Sequence, residues 1–264
     1  MKMHRQLWIL AGITVLVVAA AMILPPISQP AEYHQFADQR GFFGIPNFND
    51  VISNLAFFLS GSAGLVFLAR VYRTPAQTTF HDLKECLPYG VLFFSVTAAA
   101  LGSMYYHWTP DVDHLMWDRL PIVIGIAALL STTLVDRISP AAGLWALPLL
   151  VVSAVFSVLH WYWTELQGTG NLNFYIVMQF YSILLIVWIS LSFPSRYTRG
   201  NDVYQVIALY AIAKLAEMLD GKIFVWTDGW ISGHTLKHLI AAYAAYRIVQ
   251  ILRKRRFLAN VVFD

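Results

Sequence analysis

Residues 122–134, IVIGIAALLSTTL, carry no charged side chain and no apolar/polar alternation. A strand in a transmembrane barrel needs that alternation, because one face meets lipid and the other the lumen. Without it, the α-helix is the remaining way to satisfy every backbone N–H and C=O inside lipid. The same pattern recurs along the chain. A spanning helix takes about 20 apolar residues at 1.5 Å rise each. Stretches near 6–25, 49–71, 86–107, 114–136, 142–161, 173–193, 203–221 and 232–252 all qualify. Connectors containing Pro, Gly and Asn separate most of them, as between antiparallel neighbours.

Composition agrees with a chain that sits mostly in lipid. Hydrophobic residues make up 58% and charged residues 12% of the 264 positions, with a mean hydropathy of +0.58. An ordinary soluble domain carries roughly 45–50% apolar and about 25% charged residues. Charge at half that level excludes a soluble enzyme, a disordered protein and a coiled coil. The net charge of +3 lies in short, scattered clusters, which excludes a nucleic-acid binder. A single cysteine, Cys86, excludes an intramolecular disulfide and a cysteine-rich zinc module.

The first stretch has a basic start in Lys2 and Arg5. Its apolar run, Leu7 to Leu24, exceeds the roughly 7–15-residue core of a signal peptide, and no small-x-small site precedes Pro25 and Pro26. An uncleaved anchor is expected. With eight crossings, Lys2, Arg5, Arg70, Arg73, Lys84, Arg137, Arg196, Arg199 and the run Arg253, Lys254, Arg255, Arg256 all fall on one side. The positive-inside rule makes that side cytoplasmic. The opposite loops hold Glu32, Asp38, Asp50, Asp111, Asp113, Glu165 and Asp228. Both termini are therefore expected inside, with the basic tail as an anchor.

Ionisable groups inside a spanning helix are costly unless paired or ligated, so those present are informative. The third stretch ends GSMYYH, with Ser103 and His107 four residues apart on one face. The fourth opens with Trp117, Asp118 and Arg119, and the eighth opens HTLKH, with His234 and His238 at i and i+4. The expected topology puts all of them near the non-cytoplasmic ends of their helices. Three histidines with an open fourth position form a common catalytic zinc site. Bound zinc lowers the pKa of water to about 7 and polarises a carbonyl. Asp118 has the chemistry to take a proton from that water, and Ser103 to donate to an oxyanion. The blander readings are a back-bonding Ser103, an Asp118 paired with Arg119 or Lys237, and interfacial histidines. His4 and His81 fall at the cytoplasmic side, and His160 lies in the aromatic cluster Trp161, Tyr162 and Trp163. His114 is close enough in sequence to support Asp118.

In the seventh stretch, Lys214 and Glu217 sit at i and i+3 and can pair. Glu217 or Asp220 can instead hold a ligand histidine from behind.

GSMYYH ending in His107, Asp118 eleven residues later and His234-x3-His238 together resemble the alkaline ceramidase family. That family belongs to a heptahelical hydrolase superfamily that includes the adiponectin and progestin receptors. Ile52, Ser53 and Asn54 match an early motif of the ceramidases. The resemblance covers roughly residues 45–252. It implies an all-α, polytopic membrane protein with a seven-helix core and one extra N-terminal helix: residues 1–30 as anchor, 31–252 as hydrolase core and 253–264 as basic tail. It further implies a zinc-dependent hydrolase that cleaves ceramide or another N-acyl lipid into fatty acid and amine. His107, His234 and His238 would hold zinc, with Asp118 as general base and acid and Ser103 at the oxyanion. The family also holds calcium in an acidic loop before its first core helix. Aligned on Ile-Ser-Asn, its glutamate becomes Asn47, and Glu32, Asp38, Asn47, Asn49 and Asp50 are the oxygen donors at hand. Asn and Asp before an apolar run also cap helices.

Two other classes use the same residues: a receptor-like or lipid-binding protein with a structural zinc, and an ion or proton transporter. The expected partners are the bilayer and a lipid substrate, with no nucleic acid. The expected compartment is a bacterial inner membrane rather than the endoplasmic reticulum.

Overall fold

A computed structural model of the protein describes residues 2–74 and 77–258. Residues 259–264 of the expected tail, and the side chains of Lys2 and His4, lie outside the described residues. The helices are α1 (Lys2–Ile23), α2 (Phe48–Ser53), α3 (Leu55–Tyr72), α4 (Cys86–Trp108), α5 (Val112–Arg137) and α6 (Pro140–Leu166), followed by α7 (Asn173–Ile176), α8 (Ser182–Ser192), α9 (Val203–Met218), α10 (Asp220–Trp226) and α11 (Gly233–Lys254). A π-helical turn, Val177–Tyr181, joins α7 to α8. Among the described residues there is no β-strand beyond two isolated bridges, as the uninterrupted apolar runs require.

Six segments are long and apolar enough to cross a membrane: Arg5–Ile23, Phe48–Tyr72, Leu83–Trp108, Val112–Arg137, Pro140–Leu166 and Asn173–Ser192. They mark a multi-pass membrane protein. Large exposed side chains such as Leu16, Leu59, Phe94, Trp145, Leu149 and Leu191 fit the same setting, because hydrocarbon removes the penalty that water imposes on them. The last two expected stretches fall on α9 and α11. The first of these, α9, has 16 residues, about 24 Å of helix, and then breaks at Leu219 instead of running on to 221. The other, α11, is long enough but carries His234, Lys237, His238 and Arg247.

The break after α9 has a local cause. A Cβ on Gly233 would meet the Ala216 carbonyl oxygen at 2.1 Å and the Asp220 Cα at 2.7 Å. The start of α11 therefore lies directly on the end of α9. Asp220 closes the joint: Oδ1 accepts from the His234 N–H at 2.8 Å, and Oδ2 accepts from the Ala37 N–H at 3.0 Å.

The central helix is α5, flanked by α4, α6 and α8. Caps mark the helix starts. Asp111 accepts from His114 N–H, Ser139 from Ala142 N–H ahead of Pro140, and Ser232 from Thr235 N–H. The α4–α5 crossing is tightest at Gly102, where a Cβ would meet the Trp117 carbonyl oxygen at 2.2 Å. That approach brings Ser103 of α4 beside Asp118 of α5. The first helix, α1, is peripheral and mostly exposed, with Ala21 its one buried apolar residue among the described side chains. Asn173 pins its end, its amide donating to the Ala21, Leu24 and Pro25 carbonyls.

Candidate metal centre

His107, His234 and His238 come together at one end of the bundle, all buried, with one ring nitrogen from each lying within 4.8 Å of the others. They are close enough to bind one metal ion. The ring centroids form a near-equilateral triangle with sides of 4.8, 5.0 and 4.8 Å. His107 Nε2 and His234 Nε2 are 3.2 Å apart. Two ligands of one tetrahedral zinc, each about 2.0–2.1 Å from the ion, stand roughly 3.3 Å apart.

The hydrogen bonds around His238 assign its tautomer. The Ser53 hydroxyl donates to the Asp50 carbonyl at 3.1 Å, so its oxygen accepts from His238 Nδ1–H at 2.8 Å. The Nε2 lone pair then points into the triad, where it is buried with no protein partner. A hydrogen bond from behind that fixes ring orientation and frees the ligating nitrogen is typical of metal-binding histidines. His107 Nδ1 is likewise buried and unpartnered. Its backbone carbonyl accepts from the Asn47 amide at 2.8 Å, and the Phe36 ring packs on His107 and His234 with centroids at 4.5 and 4.9 Å.

Asp118 is 6% exposed and Ser103 5%. The Ser103 side chain adjoins the Asp118 carboxylate, and Asp118 Oδ1 has no partner. Among the described residues Asp118 makes no salt bridge. Arg119 turns away from it into an aromatic cage, with its Cζ 4.2 Å from the Trp161 ring centroid and 4.7 Å from that of Tyr175, and it donates to Gln29. Ser103, Asp118, Lys237 and His238 reach the head of a cavity of about 380 Å³. Its deeper wall is apolar and includes Leu92, Ile122, Ile126, Val206 and Ile248. An apolar pocket with a few convergent polar groups at one end is the usual form of a small-molecule site.

Glu217 pairs with Lys214, as its spacing predicts. It also accepts from Lys237 Nζ at 3.0 Å, and that ammonium lies 2.8 Å from His234 Nε2. Glu217 thus reaches the triad through a lysine and not directly. Asp220 meets His234 at its backbone, not its ring. His114 does not support Asp118: its Nδ1 is 2.6 Å from Asp111 Oδ1.

Four of the expected calcium donors make separate contacts. Asn47 serves His107. Asn49 donates to Asp38 Oδ2 at 2.8 Å, and both Asp38 oxygens also accept from Arg40 at 2.7 Å. Burial pushes the Asp38 carboxyl up, but hydrogen bonds from Arg40 and Asn49 outweigh it and hold the group below the usual carboxylate range. Asp50 Oδ1 accepts from Thr235 at 2.6 Å and from Ser232 at 3.3 Å. Asp50 thereby ties this segment to the start of α11, while its Oδ2 stays buried without a partner. Sequence reasoning did not assign Ser53 its role behind His238, or Lys237 its place on His234. The Ile-Ser-Asn motif was the signal for Ser53, and the i, i+3 spacing from His234 was the signal for Lys237.

Comparisons with protein-family models, curated proteins and solved structures find no match. The fold and site define an all-helical membrane protein with a buried three-histidine centre at the head of an apolar cavity.

Proposed function

We propose that the protein is a zinc-dependent amidohydrolase of the alkaline ceramidase kind, cleaving ceramide or a related N-acyl lipid. The observation that carries this reading is a buried carboxylate without a salt bridge, Asp118, which with Ser103 lines the same largely apolar cavity as His238 of the three-histidine cluster. His107, His234 and His238 would hold zinc, which when bound supplies Lewis-acid polarisation of a carbonyl and a more acidic water.

The remaining chemistry belongs to the chain. Asp118 takes a proton from the attacking water and returns it to the departing amine, so amide and water become acid and amine. Ser103 donates to the oxygen of the tetrahedral intermediate. The apolar walls hold the acyl chain and keep bulk water from the reacting carbonyl. Glu217 keeps Lys237 beside the triad. The peripheral position of α1 supports an added helix on a seven-helix core formed by the rest. Counting α9 and α11 as crossings gives both termini one side; the positive-inside rule supports the cytoplasm for it, with the histidines towards the other side of what we take to be a bacterial inner membrane.

The test is elemental analysis of detergent-purified protein beside His234→Ala, followed by a screen of N-acyl lipids. About one zinc per chain, lost with turnover in the variant, is expected. Wild type without zinc after metal-replete expression would sink the reading.

A further inference from the structure

The other end of the bundle holds a second buried polar cluster. It is built from the ends of α5, α8 and α11, the starts of α4 and α9, and the connection through Tyr197 and Gly200. Asp118 and Arg137 mark the two poles on α5, about 28 Å apart along the helix. A cavity of about 60 Å³ lies within this second cluster. One water takes roughly 30 Å³ of liquid, so the space suits a small oxyanion.

The charges around it match in pairs, with one left over. Arg137 lies 3.5 Å from Asp136, Arg199 lies 2.6 Å from Asp202, and Arg196 lies 3.5 Å from Glu85. Arg255 is 4% exposed and makes no salt bridge among the described residues. Its guanidinium carbon sits 4.1 Å from the Tyr197 ring centroid and 4.4 Å from that of Phe80. Nε donates to the Thr79 carbonyl and Nη1 to the Tyr89 hydroxyl, both at 3.0 Å. Nη2 is buried without a partner, and so is the Ser190 hydroxyl. Arg255 and Ser190 line the same cavity. A buried cation without a salt-bridge partner is costly; the more distant Asp136 carboxylate, which lines the same cavity, and the aromatic faces offset only part of that cost. One oxyanion answers the charge and both donors together.

We propose that this cavity binds a phosphate group, with Arg255 Nη2 and Ser190 Oγ as its donors. A guanidinium matches phosphate in geometry as well as charge. Two sources carry the group: free inorganic phosphate and the headgroup of an anionic phospholipid. Basic pockets between helices at the cytoplasmic side recognise such headgroups. Binding here ties the segment around Thr79 to the end of α11 and to α8. The site stands apart from the histidine centre and does not depend on the hydrolase reading.

The test follows thermal unfolding of the full chain in dodecyl maltoside. The additions are inorganic phosphate against chloride at matched ionic strength, and phosphatidylglycerol against diacylglycerol, which lacks the phosphate. A saturable rise in midpoint with inorganic phosphate identifies the free anion. A rise with phosphatidylglycerol alone identifies the headgroup. Arg255→Gln abolishes either rise, and Ser190→Ala weakens binding about tenfold, the loss of one hydrogen bond to a charged group. No rise with any phosphate source, or a full rise in Arg255→Gln, overturns the proposal. If Arg255→Gln does not fold, a full rise in Ser190→Ala overturns it.

Discussion

The two polar poles of the bundle bury similar amounts of polar chemistry and use it differently. At the histidine pole several polar atoms go unmatched: His238 Nε2, His107 Nδ1 and Asp118 Oδ1 are all buried without partners. At the arginine pole, satisfaction is the rule. Arg137 donates to the carbonyls of Ser190 at 3.0 Å, Phe193 at 2.8 Å and Gly200 at 2.7 Å. It thereby closes the end of α8 and the turn before α9, where carbonyls lack helical partners. Asp136 accepts from Ser195 and from the Arg196 N–H. Unmet hydrogen bonding is what a reacting or ligating group needs, and met hydrogen bonding is what holds loops in place. Arg255 Nη2, Ser190 Oγ and Glu85 Oε1 are exceptions at the second pole, and Arg255 and Ser190 share a cavity.

Substitutions at each pole should therefore report on different properties. Asp118→Asn keeps size and burial but removes the base. Turnover of an N-acyl lipid should fall about 10²–10⁴-fold while metal content stays at the wild-type level. Lost metal with unchanged turnover per bound ion would make Asp118 a ligand instead. Arg137→Met should act in the opposite sense. It strips three carbonyls of their donor, about 1–3 kcal/mol for each one left buried and unsatisfied, and takes the salt-bridge partner from the partly exposed Asp136. Chemical unfolding in detergent should show that loss, and the fraction that folds should retain its metal.

Ser53→Ala is a smaller change at the histidine pole. It removes the acceptor for His238 Nδ1–H, and metal affinity should fall about 10–100-fold, measured by competition with a chelator. An unchanged affinity would mean that the ring is oriented by packing alone. The smallest effect concerns the segment that roofs the triad. The Asp38 carboxyl is held below its ordinary value of 3.8, so its ion pair with Arg40 contributes fully above that pH. The contribution is lost as pH falls through the lowered value in the folded protein. Stability should decline below about pH 4, and Asp38→Asn should remove that part of the decline.

Much of this arrangement is legible in the chain. The six apolar helices follow from runs such as 122–134, because lipid leaves a backbone few alternatives. The triad is legible because His234 and His238 share a face by helical geometry, and His107 and Asp118 sit near helix ends that a short connector brings together. The reach of α9 is not. The stretch expected from the sequence runs to residue 221, whereas the helix ends at Met218 and breaks at Leu219, where Gly233 seats on Ala216 and Asp220. The contacts of the segment before α2 are not legible either, since Asn47 and Asp50 meet partners sixty or more positions away in the chain.

The sequence by itself determined the helical class, the membrane setting and the residue types able to ligate a metal, because hydropathy and helical periodicity act over a few turns. Tertiary structure alone decided which nitrogen of His238 is free, that Lys237 links Glu217 to His234, that Asp118 makes no salt bridge while Arg119 enters an aromatic cage, and that Arg255 makes none among the described residues. Each of these depends on contacts between helices far apart in sequence. A hydrogen bond requires atoms within about 3 Å, and only the packing of one helix on another sets that distance.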